Sequence, residues 1–264
     1  MKKYLVIGSP IEHSLSPKLH NYWIKINKID AVYEKKKLKE NEIKDIILDI
    51  KRNIINGVNI TVPFKQTVIP FLDRLSPEAS TTRSVNTIYL DNGKLVGHNT
   101  DIEGFELGIK FRNFDLENKN IFILGAGGVV PSIIFALHKM KVSKITLSNR
   151  TKEKAEKLKK IFGDLIVVDW GVVPNFDMII NATSIGLSND EKIDLDFSKI
   201  GKDKVYYDVI YNPKKTNFLE TGNRLGNKIE NGKMMFIYQA QAAFKIWNGV
   251  QPKINDQLIK LLEQ

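Results

Sequence analysis

Gly125-Ala126-Gly127-Gly128-Val129-Val130 is the stretch that decides the fold of this 264-residue chain. It follows the apolar run Ile121–Leu124, which is typical of a buried strand, and a helical pattern covers Gly127–Met140. Glycines at such a turn let backbone amides and the helix N-terminus face a diphosphate, because no side chain blocks the approach. Val130 stands where the dinucleotide-binding fingerprint has its third glycine, so an ordinary strand-to-helix turn is the alternative.

The segment after the next predicted strand, Lys144–Leu147, distinguishes two cofactors. NAD-binding proteins place an acid about 20 residues beyond the glycine turn, on the ribose 2′-hydroxyl. This chain has Asn149-Arg150-Thr151 there. An acid would repel a 2′-phosphate. Arg150 can bind one through two N–H groups of its guanidinium, with Thr151 and Lys152 or Lys154 as further donors. The sequence favours NADP, and a solvated helix start capped by Thr151 is the alternative.

Upstream of this unit, the hydrophobic periodicity alternates between strand and helix signals, which predicts a βαβαβ series followed by a hairpin. The hairpin turns at Asp91-Asn92-Gly93. The predicted elements are a strand at Leu5–Gly8, a helix at Pro17–Lys28, an edge-type strand at Ala31–Leu38, a helix at Glu42–Arg52, a strand at Gly57–Val62, a helix through Val68–Leu72, a helix start at Ser76, and hairpin strands at Thr87–Leu90 and Lys94–Gly97.

A second βα series is expected downstream of the polar stretch 113–120, which is the best linker candidate. The fold class is therefore α/β with two domains, an N-terminal α/β domain and a Rossmann-like doubly wound parallel sheet, with a cleft between them. The remaining predicted elements are a helix from Asp101, strands at Lys119–Leu124, Met178–Asn181 and Val205–Asp208, and helices at Lys152–Phe162, Met234–Trp247 and Asn255–Leu262.

Composition narrows the class of function. The net charge is +10, but the lysines are spread over the predicted helices among glutamates, which does not favour nucleic-acid binding. The absence of cysteine excludes disulfides, zinc-thiolate sites and thiol catalysis, and we expect no metal site. The apolar run after Lys3 stops at Gly8, too short for an export signal, and no run approaches the roughly 20 apolar residues of a membrane span. We expect a cytoplasmic protein with a small-molecule ligand.

Three polar segments of the first half lie at predicted strand ends, where open α/β sheets bind ligands. They are His13–Pro17, Asn59–Lys65 and Ser84–Thr87. Each has an ordinary structural explanation as well. Ser16-Pro17 is a good helix start, Asn86 suits a turn, and Lys65 is one lysine among many.

Together with Gly97–Gly104 and the segment Gln239–Gly249, these segments resemble the shikimate dehydrogenase family. The motifs His-Ser-x-Ser-Pro, Asn-x-Thr-x-Pro-x-Lys, Val-Asn-Thr, Asn-Thr-Asp-x-x-Gly, Gly-Ala-Gly-Gly and Asn-Arg-Thr occur in the family's order over essentially the whole chain. The resemblance implies NADPH-dependent, reversible reduction of 3-dehydroshikimate to shikimate, on the path to chorismate and the aromatic amino acids. It also implies an oxidoreductase that works as a monomer or homodimer.

The resemblance also implies the site residues. Lys65 and Asp101 are the catalytic pair, because a ketone oxygen that becomes negative as hydride arrives needs a proton donor within hydrogen-bond reach. Ser14 and Ser16 hold the substrate carboxylate, with Tyr211 nearby. The ring hydroxyls are read by Asn59, Thr61, Asn86, Asp101 and Gln239. The cofactor residues are Gly125, Ala126, Gly127, Gly128, Val129, Asn149, Arg150, Thr151, Lys152, Lys154, Thr183, Val209 and Gly232.

The family's domain plan implies a substrate domain formed by residues 1–101 with 235–264, and an NADP domain formed by residues 102–234. Three features depart from the family pattern, and none removes a chemical group of the expected site. Glu12 replaces a glycine, Val130-Pro131 replaces small or polar residues, and Met235-Phe236 replaces Met-Leu.

Two other functions remain open at this point. A quinate or dual quinate/shikimate dehydrogenase is the nearest, although Ser16 and Arg150 favour shikimate and NADP. A non-catalytic NADP-sensing regulator is the other, because a fold does not determine a function. The presence of both Lys65 and Asp101 disfavours the regulator.

Overall fold

The computed structural model describes residues 1–188 and 191–263, and its contacts divide the chain into two units. The first unit comprises Met1–Gly104 and the residues from Ile237 onward, and the second comprises Phe105–Phe236. The sequence places these limits a few residues earlier, at 101/102 and 234/235. The polar stretch 113–120, taken from its composition as a linker, lies inside the second unit.

The strands and helices follow in chain order. Those up to residue 111 are β1 (Lys2–Gly8), α1 (Ser16–Ile26), β2 (Ala31–Lys37), α2 (Ile43–Lys51), β3 (Gly57–Ile60), β4 (Arg74–Leu75), α3 (Pro77–Thr82), β5 (Thr87–Asp91), β6 (Lys94–His98) and α4 (Asp101–Phe111). The next are β7 (Asn120–Leu124), α5 (Val130–Lys139), β8 (Lys144–Ser148), α6 (Lys152–Phe162), β9 (Ile166–Val168), β10 (Met178–Asn181), β11 (Val205–Asp208), α7 (Asn217–Arg224) and β12 (Lys228–Asn231). The last are α8 (Lys233–Asn248) and α9 (Asp256–Leu261).

Both limits between the units fall inside helices. The first lies within α4 and the second within α8. A continuous helix leaves no composition signal at a boundary, because its polar and apolar residues keep the same spacing on both sides. A linker search based on loop-like residues therefore selects the wrong stretch in this chain.

The first unit holds a six-stranded mixed sheet in the order β2-β1-β3-β5-β6-β4. Strand β1 pairs in parallel with β2 and β3, as the predicted βαβαβ series requires. Strand β5 runs antiparallel to both β3 and β6. The start of β5 therefore lies at the same edge of the sheet as the ends of β3 and β6.

One face of this sheet is covered by α2, whose isoleucines at helical spacing join the core. Ile43, Ile46, Ile47 and Ile50 are buried with Val58 and Ile60 of β3. An aromatic cluster in the same unit contains His20, whose ring stacks on Tyr33 at 4.2 Å. Burial lowers the pKa of His20 to about 3, so this imidazole is neutral and packs as an aromatic ring.

The second unit holds a fully parallel sheet in the order β12-β11-β10-β7-β8-β9. This is the strand order of the doubly wound Rossmann fold, and it confirms the fold class expected from the glycine turn. Phe122, Leu124 and Ile179 lie in its core. The topological switch lies between β7 and β10, where such sheets bind ligands.

The local predictions failed where the elements are short. Strands β4, β9 and β12 were not predicted, because two to four half-exposed residues carry little apolar periodicity. Helix α7 was not predicted either, since its eight residues contain only two large apolar ones, Phe218 and Leu219. The predicted helix through Val68–Leu72 is a single 3-10 turn at Ile69–Phe71, with a proline at its start. No helix in the described part of the chain is long and apolar enough to cross a membrane.

Candidate active site

The buried pair Lys65 and Asp101 is the centre of the polar residues in the first unit. Lys65 follows β3 and Asp101 begins α4, so both lie at the sheet edge where β5 starts. Lys65 Nζ lies 2.5 Å from Asp101 Oδ2, and the side chains are 10% and 9% exposed. This geometry places a proton donor and an acceptor together in a site that is largely shielded from water.

Asn86 holds the second oxygen of the same carboxylate. Its Nδ2 donates to Asp101 Oδ1 at 2.9 Å and to Thr100 Oγ1 at 2.9 Å. Its Oδ1 accepts from the Thr100 backbone N–H at 2.8 Å. Asp101 is thus bound through both oxygens, one to an ammonium and one to an amide, and its orientation is determined by three chain segments.

Asn59 lies one step further from the pair. Its Oδ1 accepts from the Tyr33 hydroxyl at 2.7 Å, and its Nδ2 donates to the Asn86 carbonyl at 3.1 Å and to Thr87 Oγ1 at 3.0 Å. Both N–H groups of Asn59 are therefore used within the protein. The role in reading substrate hydroxyls that the sequence predicts for Asn59 stays a prediction, and in the structure its contacts support Asn86.

Ser14 and Ser16 lie at the N-terminus of α1. Ser14 Oγ accepts from the Ser16 backbone N–H at 3.3 Å, and Ser16 is buried. The N-cap residue, Leu15, makes no side-chain cap hydrogen bond. Two hydroxyls beside the positive end of a helix suit a carboxylate.

Glu12 in the same loop pairs with Lys37 at 2.8 Å, and this hydrogen bond is the main reason that its pKa falls to about 2.

The other predicted substrate residues are distributed over both units. Thr61 directly follows β3 and is half-buried, and Gln239 lies half-buried on α8 in the first unit. Tyr211 belongs to the second unit, where its ring stacks on Phe236 with 4.3 Å between ring centroids.

The glycine turn of the second unit has the geometry that its sequence predicts. Gly125 has φ +109°, and a Cβ on it would lie 2.8 Å from the Ala182 carbonyl oxygen. A Cβ on Gly127 would meet nothing within 4 Å, so this residue faces open space. Val129, the N-cap residue of α5, makes no side-chain cap bond. The backbone of the turn can therefore approach a diphosphate closely.

The segments after β10, β11 and β12 pack next to this turn. The Val209 backbone N–H donates to the Asn181 carbonyl at 3.0 Å. A Cβ on Gly232 would lie 2.1 Å from the Val209 carbonyl oxygen, so only glycine fits there. Thr183, Val209 and Gly232 thus lie at one edge of the parallel sheet with the glycine turn, as predicted for the carboxyl ends of its strands.

The segment after β8 presents Arg150 to solvent, and among the residues that the structure describes no carboxylate pairs with it. Thr151 is the N-cap residue of α6 but makes no side-chain cap bond, which removes the capping explanation for this segment. Asn149 Nδ2 donates to the Thr151 carbonyl at 2.7 Å. Lys152 pairs with Asp169 at 2.6 Å, so this lysine is engaged, and Lys154 is exposed.

Comparison with known proteins agrees with both halves. Residues 6–88 match the family model described as shikimate dehydrogenase substrate binding domain, and residues 108–190 match the one described as shikimate / quinate 5-dehydrogenase. The protein of Pelagibacter ubique (strain HTCC1062) known as shikimate dehydrogenase (NADP(+)) is 56% identical over 262 residues, 99% of each chain.

The chain belongs to the shikimate dehydrogenase family.

Solved structures of shikimate dehydrogenases share its fold. The Aquifex aeolicus enzyme has a TM-score of 0.91 and 35% identity, and the match covers 100% of this chain and 98% of that one. The Thermus thermophilus enzyme, in complex with NADP(H) and shikimate, has a TM-score of 0.89 and 30% identity with the same coverage. The family and the fold class expected from the sequence are confirmed.

Some residues that complete this shikimate dehydrogenase site were not predicted. Tyr33, Thr87 and Thr100 support the first-unit network, and Asp208 accepts hydrogen bonds at the end of β11 in the second unit. Thr87 and Thr100 stand inside the motifs Val-Asn-Thr and Asn-Thr-Asp-x-x-Gly, so the motifs could have indicated them. Tyr33 and Asp208 lie outside those motifs, and Tyr33 is of a residue type that is ordinary in a strand.

Proposed function

We propose that this chain is a shikimate dehydrogenase that reduces 3-dehydroshikimate to shikimate with NADPH and catalyses the reverse oxidation with NADP. The observation that carries the proposal is the buried Lys65–Asp101 pair, bound at both carboxylate oxygens, in a chain that is 56% identical to a shikimate dehydrogenase (NADP(+)) over its full length. The reaction belongs to the path to chorismate and the aromatic amino acids.

The proton chemistry is assigned to the first unit. NADPH, when bound, supplies the hydride to the carbonyl carbon. Lys65 Nζ donates a proton to the oxygen that becomes negative, and in the reverse direction it accepts that proton from the hydroxyl. Asp101 Oδ2 accepts a hydrogen bond from the ammonium at 2.5 Å and holds it in place. Burial of the pair excludes water that would weaken both interactions.

Substrate binding is assigned to the residues around this pair. Ser14 and Ser16 hold the carboxylate at the start of α1. Asn86 reaches a ring hydroxyl by exchanging its bond with Thr100, and Asn59 acts by holding Asn86. Thr61 and Gln239 complete the predicted set in the first unit, and Tyr211, the remaining predicted residue, belongs to the second unit.

Cofactor binding is assigned to the second unit, whose residues fit a dinucleotide phosphate. Gly127 faces open space at the start of α5, and Gly125 and Gly232 permit close backbone packing around it. Arg150 is exposed without a carboxylate partner among the described residues, as a ligand of the 2′-phosphate requires. The further assigned residues are Ala126, Gly128, Val129, Asn149, Thr151, Lys152, Lys154, Thr183 and Val209.

A spectrophotometric assay tests the function and its nearest alternative. The purified chain is given shikimate or quinate, each with NADP or NAD, and absorbance is followed at the NADPH band. We expect the highest kcat/KM with shikimate and NADP. Quinate as the better substrate would identify a quinate dehydrogenase, and absence of turnover in a protein that binds NADP would identify a regulator.

We also propose that the enzyme acts in the cytoplasm as a monomer or homodimer. A chain without cysteine suits a reducing compartment. Sedimentation of the purified protein measures the oligomeric state, and cell fractionation with an antibody against the chain tests the location.

A further inference from the structure

A buried carboxylate, Asp208, ends β11 in the second unit and has no function in the reaction described above. The residue is 0% exposed. Its Oδ1 accepts from the Ile210 backbone N–H at 3.0 Å and from Asn181 Nδ2 at 3.1 Å, and its Oδ2 accepts from Thr216 Oγ1 at 2.6 Å. Within the described ranges 1–188 and 191–263, no lysine, arginine or histidine forms an ion pair with it.

An aspartate in this environment is costly. Burial raises the pKa of Asp208 to about 6, although three hydrogen bonds from neutral donors act in the opposite direction. A buried carboxylate without a cation is expensive compared with an apolar side chain of similar size. The positions of the three donor residues in the fold indicate which advantage offsets the cost of burying this carboxylate.

The three donors belong to two different loops. Asn181 ends β10, and its Oδ1 accepts from the Thr183 backbone N–H at 3.1 Å and from Thr183 Oγ1 at 2.7 Å. Ile210 and Thr216 belong to the segment after β11, and Thr216 caps α7 by accepting from the Leu219 backbone N–H. Asp208 therefore joins the loop that carries Thr183 to the loop that begins with Val209.

Both of these loops belong to the cofactor half. Val209 directly follows Asp208, and its backbone is held between the Asn181 carbonyl and Gly232. Thr183 lies beside the glycine turn, since its methyl group would be 3.1 Å from a Cβ on Gly125. Asp208 therefore links two loops at the sheet edge that carries the glycine turn.

We propose that Asp208 is a positioning residue for NADP binding, whose carboxylate locks the loops 182–187 and 209–216 together before the cofactor arrives. The inference rests on the proposed function, because it takes these loops as part of the NADP site. A carboxylate suits the task because it accepts several hydrogen bonds and brings no N–H of its own. Preorganised loops lose less entropy when the ligand binds.

The test compares Asp208→Leu with Asp208→Asn in the full-length protein. Leucine leaves three buried donors unpaired, whereas asparagine keeps an acceptor for Asn181 and Ile210, and its N–H can meet a rotated Thr216 hydroxyl. NADPH fluorescence titration without substrate gives the Kd. We expect Asp208→Leu to raise the Kd about tenfold or more, Asp208→Asn to stay within about threefold of wild type, and the KM for shikimate at saturating NADP to change less than about twofold.

Ile179→Ala is the matched control for general destabilisation. Ile179 is fully buried on β10, beside the same loops, but it contributes only packing. The control should lower the melting temperature at least as much as Asp208→Leu and leave the Kd for NADPH unchanged. A wild-type Kd in Asp208→Leu overturns the proposal, and so does an equal rise of the Kd in Ile179→Ala.

A second pair of variants serves if Asp208→Leu does not fold. Thr216→Val removes the hydroxyl that donates to Asp208 Oδ2 and caps α7, and Thr216→Ser keeps both contacts. We expect about threefold weaker NADPH binding in the valine variant and recovery in the serine variant; equal values in the two overturn the proposal. Failure of the proposed function looks different, because wild type would then bind NADPH but would not oxidise shikimate when NADP is supplied.

Discussion

Asp101 in the first unit and Asp208 in the second are both buried aspartates, but they are held by different partners. Asp101 has an ammonium, Lys65, on one oxygen and an amide on the other. Asp208 has only neutral donors, and burial raises its pKa to about 6. The first network contains a cation, Lys65, that can donate a proton, and among the described residues Asp208 has no such partner. We therefore propose that turnover depends on the first network and cofactor binding on the second.

Removing the cation from the first network should have the largest effect. Proton transfer by a positioned side chain contributes about 10²–10⁴-fold, so Lys65→Ala should lower kcat by that factor. The Kd for NADPH should change little, because the variant leaves the second unit intact. Steady-state kinetics and fluorescence titration measure the two values.

Lys110→Ala, which removes an exposed lysine from α4, is the control and should behave as wild type. Near-normal turnover in Lys65→Ala would remove the proposed difference between the two aspartates.

The pH dependence of stability should distinguish Asp208 from an asparagine in its place. Its folded-state pKa of about 6 exceeds the ordinary value of 3.8, so between these values the folded protein binds more protons than the unfolded chain. Stability from this group is therefore present at low pH and is lost as pH rises through about 6. A pKa shift of about two units corresponds to a change of roughly 3 kcal/mol in the free energy of unfolding.

Urea unfolding of wild type and Asp208→Asn at pH 4, 5, 6 and 7 measures this effect. The free energy of unfolding of wild type, minus that of the variant, should fall by up to roughly 3 kcal/mol across the series. A difference that is constant with pH would show that Asp208 is not held as the structure indicates.

Arg150→Ala tests whether the second unit contributes to NADP binding without affecting turnover. Loss of a charge-assisted hydrogen-bonding group costs about 1.5–3 kcal/mol, so the KM for NADP should rise about 10–100-fold, while kcat and the KM for NAD change little. Lys152→Ala is the comparison, and it should have a smaller effect because Lys152 is paired with Asp169. Equal losses with NADP and NAD would contradict the assignment of Arg150 to the 2′-phosphate.

The smallest effect is expected from one hydroxyl in each unit. Tyr33→Phe removes the donor to Asn59 and should cost about 1 kcal/mol of stability, with a modest loss of kcat through Asn86. Tyr206→Phe removes a buried hydroxyl that has no hydrogen-bond partner in the described structure, so its stability should be unchanged or higher. Thermal denaturation compares the two. Equal destabilisation would mean that the Tyr33 hydroxyl does not support the network.

The polar network around Lys65 was only partly predictable. The motif residues Lys65, Asn86 and Asp101 are recognisable in short segments of sequence, and the structure brings them together. Tyr33 was not recognisable, because its partner Asn59 is 26 residues away and lies on a different strand. The use of both Asn59 N–H groups inside the protein became visible only when the sheet brought Asn86 and Thr87 beside it.

The sequence by itself determined the fold class, the positions of the glycine turn and Arg150, and the family. These depend on local backbone requirements and on residue types within a few positions of each other. Only the tertiary structure decided which side chains form their hydrogen bonds within the protein, as those of Asn59, Lys152 and Asp208 do. The reason is physical, since a donor is satisfied by whatever acceptor the folded chain places within about 3 Å, whatever their separation in sequence.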